Sequence, residues 1–341
     1  MDRARFETLT QEIAAQATVE QLLDLETRTA RLLAERVSEA LVARRTTAVR
    51  QCPHCSGTKI VRHGRDGGGR QRFRCLKTDE SHGCGRTFNG LSGTAFARMR
   101  KPELWSGYAR HLASGTSLTK IVECSDMAIS RHTAWRWRHR LLTPLAATKP
   151  ERLGGVVEAD ETFFLRSFKG HRGWKRGKAP ENRPPRYPGS KALLSGLSHQ
   201  HVPVLTGIDR DGRCIDKRMD RRSTDQIVAA LGGAVAPDSV LCTDGLSAYA
   251  TLAKTVGAEH RVFDPPEDDW LKKAMGHPSR QKGALGLGRV NGHHERMKTL
   301  INRVLRGVST KFLPNYLAML RLVCRPPSAP QDTLQAAFAA G

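Results

Sequence analysis

Residues 156–164 read VVEADETFF. Val, Val, Phe and Phe in so short a run have the composition of a β-strand, yet three acids interrupt it. Burying a carboxylate among such neighbours costs several kcal/mol unless a cation or hydrogen bonds compensate. A second fragment, SVLCTDGLSAYA (239–250), repeats the pattern, with Asp244 at the end of an apolar strand. Two aspartates on adjacent strand positions would hold a pair of divalent cations about 4 Å apart, which activates an attacking oxygen and stabilises a leaving one. Hard oxygen ligands suit Mg²⁺ or Mn²⁺. Strand alternation puts Glu158 on the face of Asp160 and turns Glu161 the other way, as a surface or hydrogen-bonded residue. A third fragment, RVNGHHERMKTL (289–300), lies in a strong helix candidate over 289–305.

Around these fragments the pattern is mixed α/β. VPVLTGID and RCIDKRM flank the turn Arg210-Asp211-Gly212 as a hairpin. Turn chemistry accounts for Asp209, Asp211 and Asp216 without catalysis. A short helix is expected over 227–235, another over 246–255 and a third over 311–323, with 257–285 irregular. Residues 166–191 are rich in Gly, Pro, Arg and Lys and lack periodicity. Such an arm cannot fold alone, and Lys169, Arg172 and Lys175 are expected to order on an anionic partner. Pro144 to Gly155 reads as a linker, and the Pro- and Ala-rich tail from Pro326 as loose.

The 341 residues suffice for two or three domains. Lys and Arg number 56 against 33 acids, a formal charge of +23, which points to nucleic acid, because neutralising phosphates releases condensed counterions. A basic structural protein is the alternative. No apolar run reaches the roughly 20 residues that span a bilayer. The N-terminus lacks an apolar signal core, so a cytoplasmic location is expected, and eight Cys there argue against a disulfide framework.

Four of the eight cluster. Cys52-Pro-His-Cys55 is a knuckle, and Cys75 and Cys84 supply two more thiolates, a soft tetrahedral set for Zn²⁺. Eight residues separate the second pair, so a small insertion is expected there, and His82 is an alternative to Cys84. His54 and His63 are expected to face solvent or DNA. Ile60–His63 and Gln71–Arg74 read as ribbon strands, whose arginines suit phosphate contact or a module that only staples the fold. Upstream, residues 6–45 read as one helix for packing or oligomerisation. Downstream, TSLTKIVECSDMAISRHTAWRWRHRL (116–141) reads as two helices about a turn at Cys124–Asp126. Arg131, Arg136 and Arg138 crowd the second, as in a recognition helix that reaches phosphates and the major groove. Trp135 and Trp137 are expected in the core.

Taken in order, these stretches resemble bacterial insertion-sequence transposases of the DDE class, specifically those with an ISXO2-like transposase domain. The resemblance runs from about residue 50 to 323. It is carried by Gln71-Arg72-Phe73-Arg74-Cys75, Thr87-Phe88-Asn89, Thr133 to Arg138, Glu158-Ala159-Asp160-Glu161-Thr162, Phe168-Lys169-Gly170, Asp209 to Gly212, Thr243-Asp244-Gly245, and Val290-Asn291 through Tyr316. It implies an RNase H-like catalytic domain over 150–325, preceded by a helical segment (1–48), a zinc ribbon (49–100) and an all-helical helix-turn-helix region (101–145), with a flexible tail over 326–341. It implies Asp160 and Asp244 as the first two catalytic metal ligands. The third position, Glu in the wider class, falls on His294, with Glu295 beside it. Helix neighbours point about 100° apart, so one of the two faces the metals. Lys298, four residues beyond His294, shares its face and would grip a phosphate. The implied activity is metal-dependent cleavage and strand transfer of double-stranded DNA at terminal inverted repeats, by a homo-oligomer in a synaptic complex, in the bacterial cytoplasm at the nucleoid. A related nuclease, or a zinc-ribbon regulator with an inactive catalytic domain, remain the alternatives.

Overall fold

The computed structural model describes residues 2–77, 83–148, 152–173, 176–180, 198–263 and 285–339. The chain forms two compact units: Met1–Leu112 with Thr119–Leu141 and Pro327–Gly341, and Ala113–Leu118 with Leu142–Pro326.

In the first unit, the expected single N-terminal helix is two, α1 (Arg3–Gln16) and α2 (Val19–Thr47). Neither Gly nor Pro divides them. Thr18 does, because its hydroxyl accepts from Gln21 N while the Gln21 side chain accepts from Thr18 N, a reciprocal cap that starts a new helix. Strands β1 (Ile60–Arg65), β2 (Gln71–Cys75) and β3 (Thr87–Asn89) make an antiparallel ribbon. Its core is Cys52, Cys75 and Phe88, with Phe73 stacked on Phe88 at 5.7 Å. Helices α3 (Trp105–Ala113), α4 (Leu118–Glu123) and α5 (Arg131–Ala147) follow. Helix α5 runs through Pro144, where a linker was expected; only its last turn lies beyond the proline, so the lost N–H costs it one backbone bond. The tail is ordered as well. Over Pro330–Ala339 it is helical, with Leu334, Ala337 and Phe338 buried and Phe338 stacked on Phe96 at 3.8 Å.

The second unit is built on a five-stranded mixed sheet of order β6-β5-β4-β7-β8. Its strands are β4 (Val156–Leu165), β5 (His201–Asp209), β6 (Cys214–Arg218), β7 (Val240–Thr243) and β8 (Glu259–Val262). The first three are antiparallel, and β7 and β8 are parallel to β4 and β7. The hairpin turn is the expected one, with Gly212 at φ 78°. Strand β8 lies where irregular chain was expected. Helices α6 (Thr224–Leu231) and α7 (Ser247–Val256) cover one face. Val157, Ala159, Leu205 and Ile215 point into that core with Ile227, Leu231 and Leu252. Helices α8 (Gly288–Lys298) and α9 (Leu313–Cys324) pack against the strands as well. Because strand neighbours alternate, Glu158, Asp160, Cys214 and Asp216 are turned away from that apolar core.

Candidate active site and metal centres

The register of the central strands brings the two aspartates together. Val156, Val157 and Glu158 pair with Val240, Leu241 and Cys242 in parallel. Continuing that register sets position 244 opposite position 160, just where β7 ends and leaves the edge of β4 open. The carboxylate oxygens of Asp160, Glu161 and Asp244 lie within 4.8 Å of one another. Glu161 is bonded rather than at the surface. Expected at the surface or in a hydrogen bond, its side chain is 1% exposed, with Arg222 Nε 3.3 Å from Oε2. The same guanidinium donates to Asp244 Oδ2 at 3.1 Å, so one cation serves two acids. Alternation does turn Glu161 to the opposite face from Asp160, yet beyond the end of β7 their carboxylates and that of Asp244 still come together. Arg222 sits in the loop between β6 and α6, and nothing in its local sequence marks it.

Burial pushes the Asp160 carboxyl up to about 6, and the Asp244 charge adds to it. Burial pushes Glu161 up to about 7 against the pull of Arg222. Tyr249 is held neutral by burial and by the neighbouring Glu161 charge. Glu161 Oε1 and His294 Nε2 are both buried without a hydrogen-bond partner. Clustered acids with a buried, unpartnered carboxylate oxygen among them fit a divalent cation.

Helix α8 supplies the rest. Its N-terminus is tied down by Glu158, which is 1% exposed and accepts from Arg289 N at 2.7 Å, Val290 N at 3.0 Å and Arg210 at 2.8 Å. An acid at a helix N-terminus satisfies its free N–H groups and its dipole. So anchored, α8 sets His294 Nδ1 at 3.8 Å from Asp160 Oδ2. Burial, then the charge of His293, lower the His294 pKa to about 4, leaving a neutral ring able to donate a lone pair. Glu295 points elsewhere: it is 74% exposed and pairs with Lys298 at 3.6 Å. Lys298 is close enough for its charge to act on both Asp160 and His294. After Lys298 the helix widens into a π turn over Thr299–Val304.

The expected turn chemistry holds at Asp209, which accepts from Asp211 N and Arg213 N. It does not describe Asp216, which is buried against His293 at 3.0 Å and accepts from Thr206 Oγ1 at 2.8 Å. Bonds to Asp216 and Cys324 override burial and raise the His293 pKa to about 9.

In the ribbon, Cys52 Sγ lies 3.6 Å from Cys84 Sγ, and Cys55 Sγ 3.6 Å from Cys75 Sγ. Zn–S bonds of about 2.3 Å in a tetrahedron require S···S separations of roughly 3.8 Å, so four thiolates here fit one Zn²⁺. The Cys55 thiol is lowered to about 7 by the Gly57 amide and neighbouring thiols. His54 and His63 are exposed, and His82 lies outside the described residues.

Of the expected DNA contacts, Arg131, Arg136 and Arg172 are exposed. Arg138 is 1% exposed, a correction: its position on α5 faces inward, so it is not a surface cation. Trp135 is corrected the other way, at 38% exposed. Lys169 caps a turn, donating to the carbonyls of Arg306 at 2.8 Å and Gly307 at 2.6 Å. Lys175 lies outside the described residues. Missed in the sequence was a cleft of about 510 Å³ beside the start of α5, lined by Arg98, Arg100, Lys101, Ser130, Arg136 and Arg140. Burial and repulsion from Arg136 and Arg98 lower the pKa of Arg140, and no acid lines the cleft.

A clustered-carboxylate α/β domain in a chain that also carries a four-thiolate ribbon defines a class of proteins with two candidate metal centres. The family is specific. Residues 152–321 match the ISXO2-like transposase domain, and residues 47–78 match the InsA N-terminal domain. The chain thus carries an ISXO2-like transposase domain and an InsA-type zinc ribbon. The second match includes Cys52, Cys55 and Cys75 and stops before Cys84. No curated protein matches the chain. A solved chain described as the crystal structure of a pre-cleavage Mos1 transpososome is 11% identical over 69% of this chain and 78% of that one, with a TM-score of 0.24. Among the described residues no helix is long and apolar enough to cross a membrane.

Proposed function

We propose that this transposase cuts and joins double-stranded DNA at an RNase H-like site in which Asp160, Asp244 and His294 hold divalent cations. The observation that carries the reading is the convergence of Asp160, Glu161 and Asp244 within 4.8 Å, with a neutral His294 beside them. Three antiparallel strands continued by two parallel ones, with acids at the central strand and at the end of its parallel neighbour, support the fold assignment. Mg²⁺ or Mn²⁺ bound there would supply an activated water or 3′-hydroxyl for in-line attack at phosphorus and charge stabilisation for the leaving oxygen. Glu161 is either a further ligand or the partner that positions Arg222. Lys298 holds a non-bridging phosphate oxygen, and Glu295 stays outside the chemistry.

The Zn²⁺ ribbon and the α4–α5 pair, as a helix-turn-helix, bind the terminal repeats. Arg131 and Arg136, with the acid-free cleft at the head of α5, contact phosphates. Arg172 and Lys175 of the arm contact DNA near the cut. Two ends must be held at once, so the working form is a homo-oligomer on DNA, at the nucleoid.

The test is cleavage and strand transfer on DNA carrying the inverted repeats that flank the gene. Metal ligation is worth several kcal/mol, so Asp160→Ala and His294→Ala are expected to lose on the order of 10³-fold. Glu295→Ala should stay within about threefold, less than 1 kcal/mol. Full activity in Asp160→Ala ends the reading. Cleavage without strand transfer reassigns the chain as a nuclease, and repeat binding without any cleavage as a regulator.

A further inference from the structure

Two cysteines, a histidine and an aspartate meet on the far side of the catalytic helix. Cys214 and Asp216 are two residues apart on β6, so both project from the same face, opposite the inward-facing Ile215. His293 comes from α8 and Cys324 from the last position of α9. A ligand atom of each of Cys214, Asp216 and His293 lies within 4.8 Å of the others. Cys324 bonds to the His293 ring, and with Cys214 and His293 it lines a cavity of about 690 Å³.

We propose that these residues bind a second structural Zn²⁺, separate from the ribbon and from the carboxylate site. Cys214 Sγ, Cys324 Sγ and a nitrogen of His293 make up a borderline-soft donor set of the kind zinc prefers. Asp216 grips His293 Nε2 with both oxygens, at 3.0 and 3.1 Å. That leaves Nδ1 for the metal, and a carboxylate behind a ligating histidine is the usual outer partner that fixes its ring. Asp216 is itself oriented by Thr206. The fourth position falls to water from the adjoining cavity. Two thiolates balance the zinc charge, and the cavity beside them is lined by Asp211 as well as Arg289, Arg296 and Arg325. A buried histidine–aspartate ion pair alone would account for the Nε2 contact, but not for two thiols from distant elements converging on the same ring.

The consequence is mechanical. His293 and His294 are helix neighbours aimed at different partners, one at Asp216 and the other at Asp160. Zinc on His293 would clamp α8 to β6 and α9 and so hold the rotation that presents His294.

Metal content tests this without recourse to activity. The full chain is purified with Zn²⁺ in an Asp160→Ala, Asp244→Ala background, so that the carboxylate site adds none, and zinc per chain is measured by mass spectrometry. Two equivalents are expected, falling to one in Cys214→Ser/Cys324→Ser and to one in Cys52→Ser/Cys55→Ser. If the former variant does not fold, the latter decides: loaded with Co²⁺, it should show thiolate-to-cobalt charge-transfer absorption. One equivalent in the parent, no metal in the ribbon variant, or a Cys214–Cys324 disulfide in the purified chain overturns the proposal.

Discussion

Between the ordinary carboxylate range and their raised pKa values, Asp160 and Glu161 hold protons in the folded chain that they would release when unfolded. Their pKa values, raised to about 6 and about 7, contribute stability that is present at acidic pH and lost as pH rises through those values. His294, lowered to about 4, has the opposite sign: folding disfavours its proton, so that cost disappears as pH rises from about 4 to the ordinary histidine range. Above about pH 6.5 the His294 cost is gone, and there a divalent cation at the two acids would replace the missing protons. Mn²⁺ should therefore raise the melting temperature more at pH 8 than at pH 5. Calorimetry at the two pH values checks this, and equal shifts would show that the cation does not bind these acids. Asp160 and Asp244 were legible as residues because acids are costly inside apolar strands. Arg222 was not, since an arginine in a polar loop has no local signature, and its role exists only where the loop after β6 reaches Glu161 and Asp244.

At the scale of the element, α8 depends on one side chain in another strand. Glu158 spends both oxygens on α8 and Arg210 from within a nearly dry site. Glu158→Gln keeps the shape but replaces one acceptor by a donor facing N–H groups, and it removes the charge that Arg210 pairs with. A cost of about 2–4 kcal/mol is expected, by analogy with breaking other buried charged hydrogen bonds. Amide exchange is the measurement: Arg289 and Val290 should lose protection while the ribbon amides keep theirs. Unchanged protection in α8 would deny Glu158 its anchoring role. Sequence periodicity found α8, the hairpin and the ribbon strands. It missed the division of α1 from α2 because a reciprocal Thr18–Gln21 cap breaks a helix without Gly or Pro.

At the scale of the whole molecule, the ends of the chain behave unlike their composition. A Pro- and Ala-rich tail reads as loose, yet Leu334, Ala337 and Phe338 are buried in the unit that holds the ribbon. Phe338→Ala should cost about 3–5 kcal/mol, the range for emptying a packed aromatic site. Phe6→Ala, at a side chain 58% exposed, should stay within about 0.5 kcal/mol. Chemical denaturation of the two variants checks the contrast, and equal stabilities would mean that the tail does not pack.

Spacing and composition alone determined the four-cysteine cluster, the basic character and the acids set in apolar strands, because those signals are local: ligand intervals, charge, and polarity out of place. Which distant groups meet was decided by the tertiary structure. Parallel pairing of β4 with β7 sets position 160 across from 244, and the rotation of α8 turns His294 toward Asp160 and leaves Glu295 exposed. The same packing turns Arg138 inward and gathers Cys214, His293 and Cys324 from three elements. Convergence of this kind depends on strand order and helix rotation, which no run of neighbouring residues encodes.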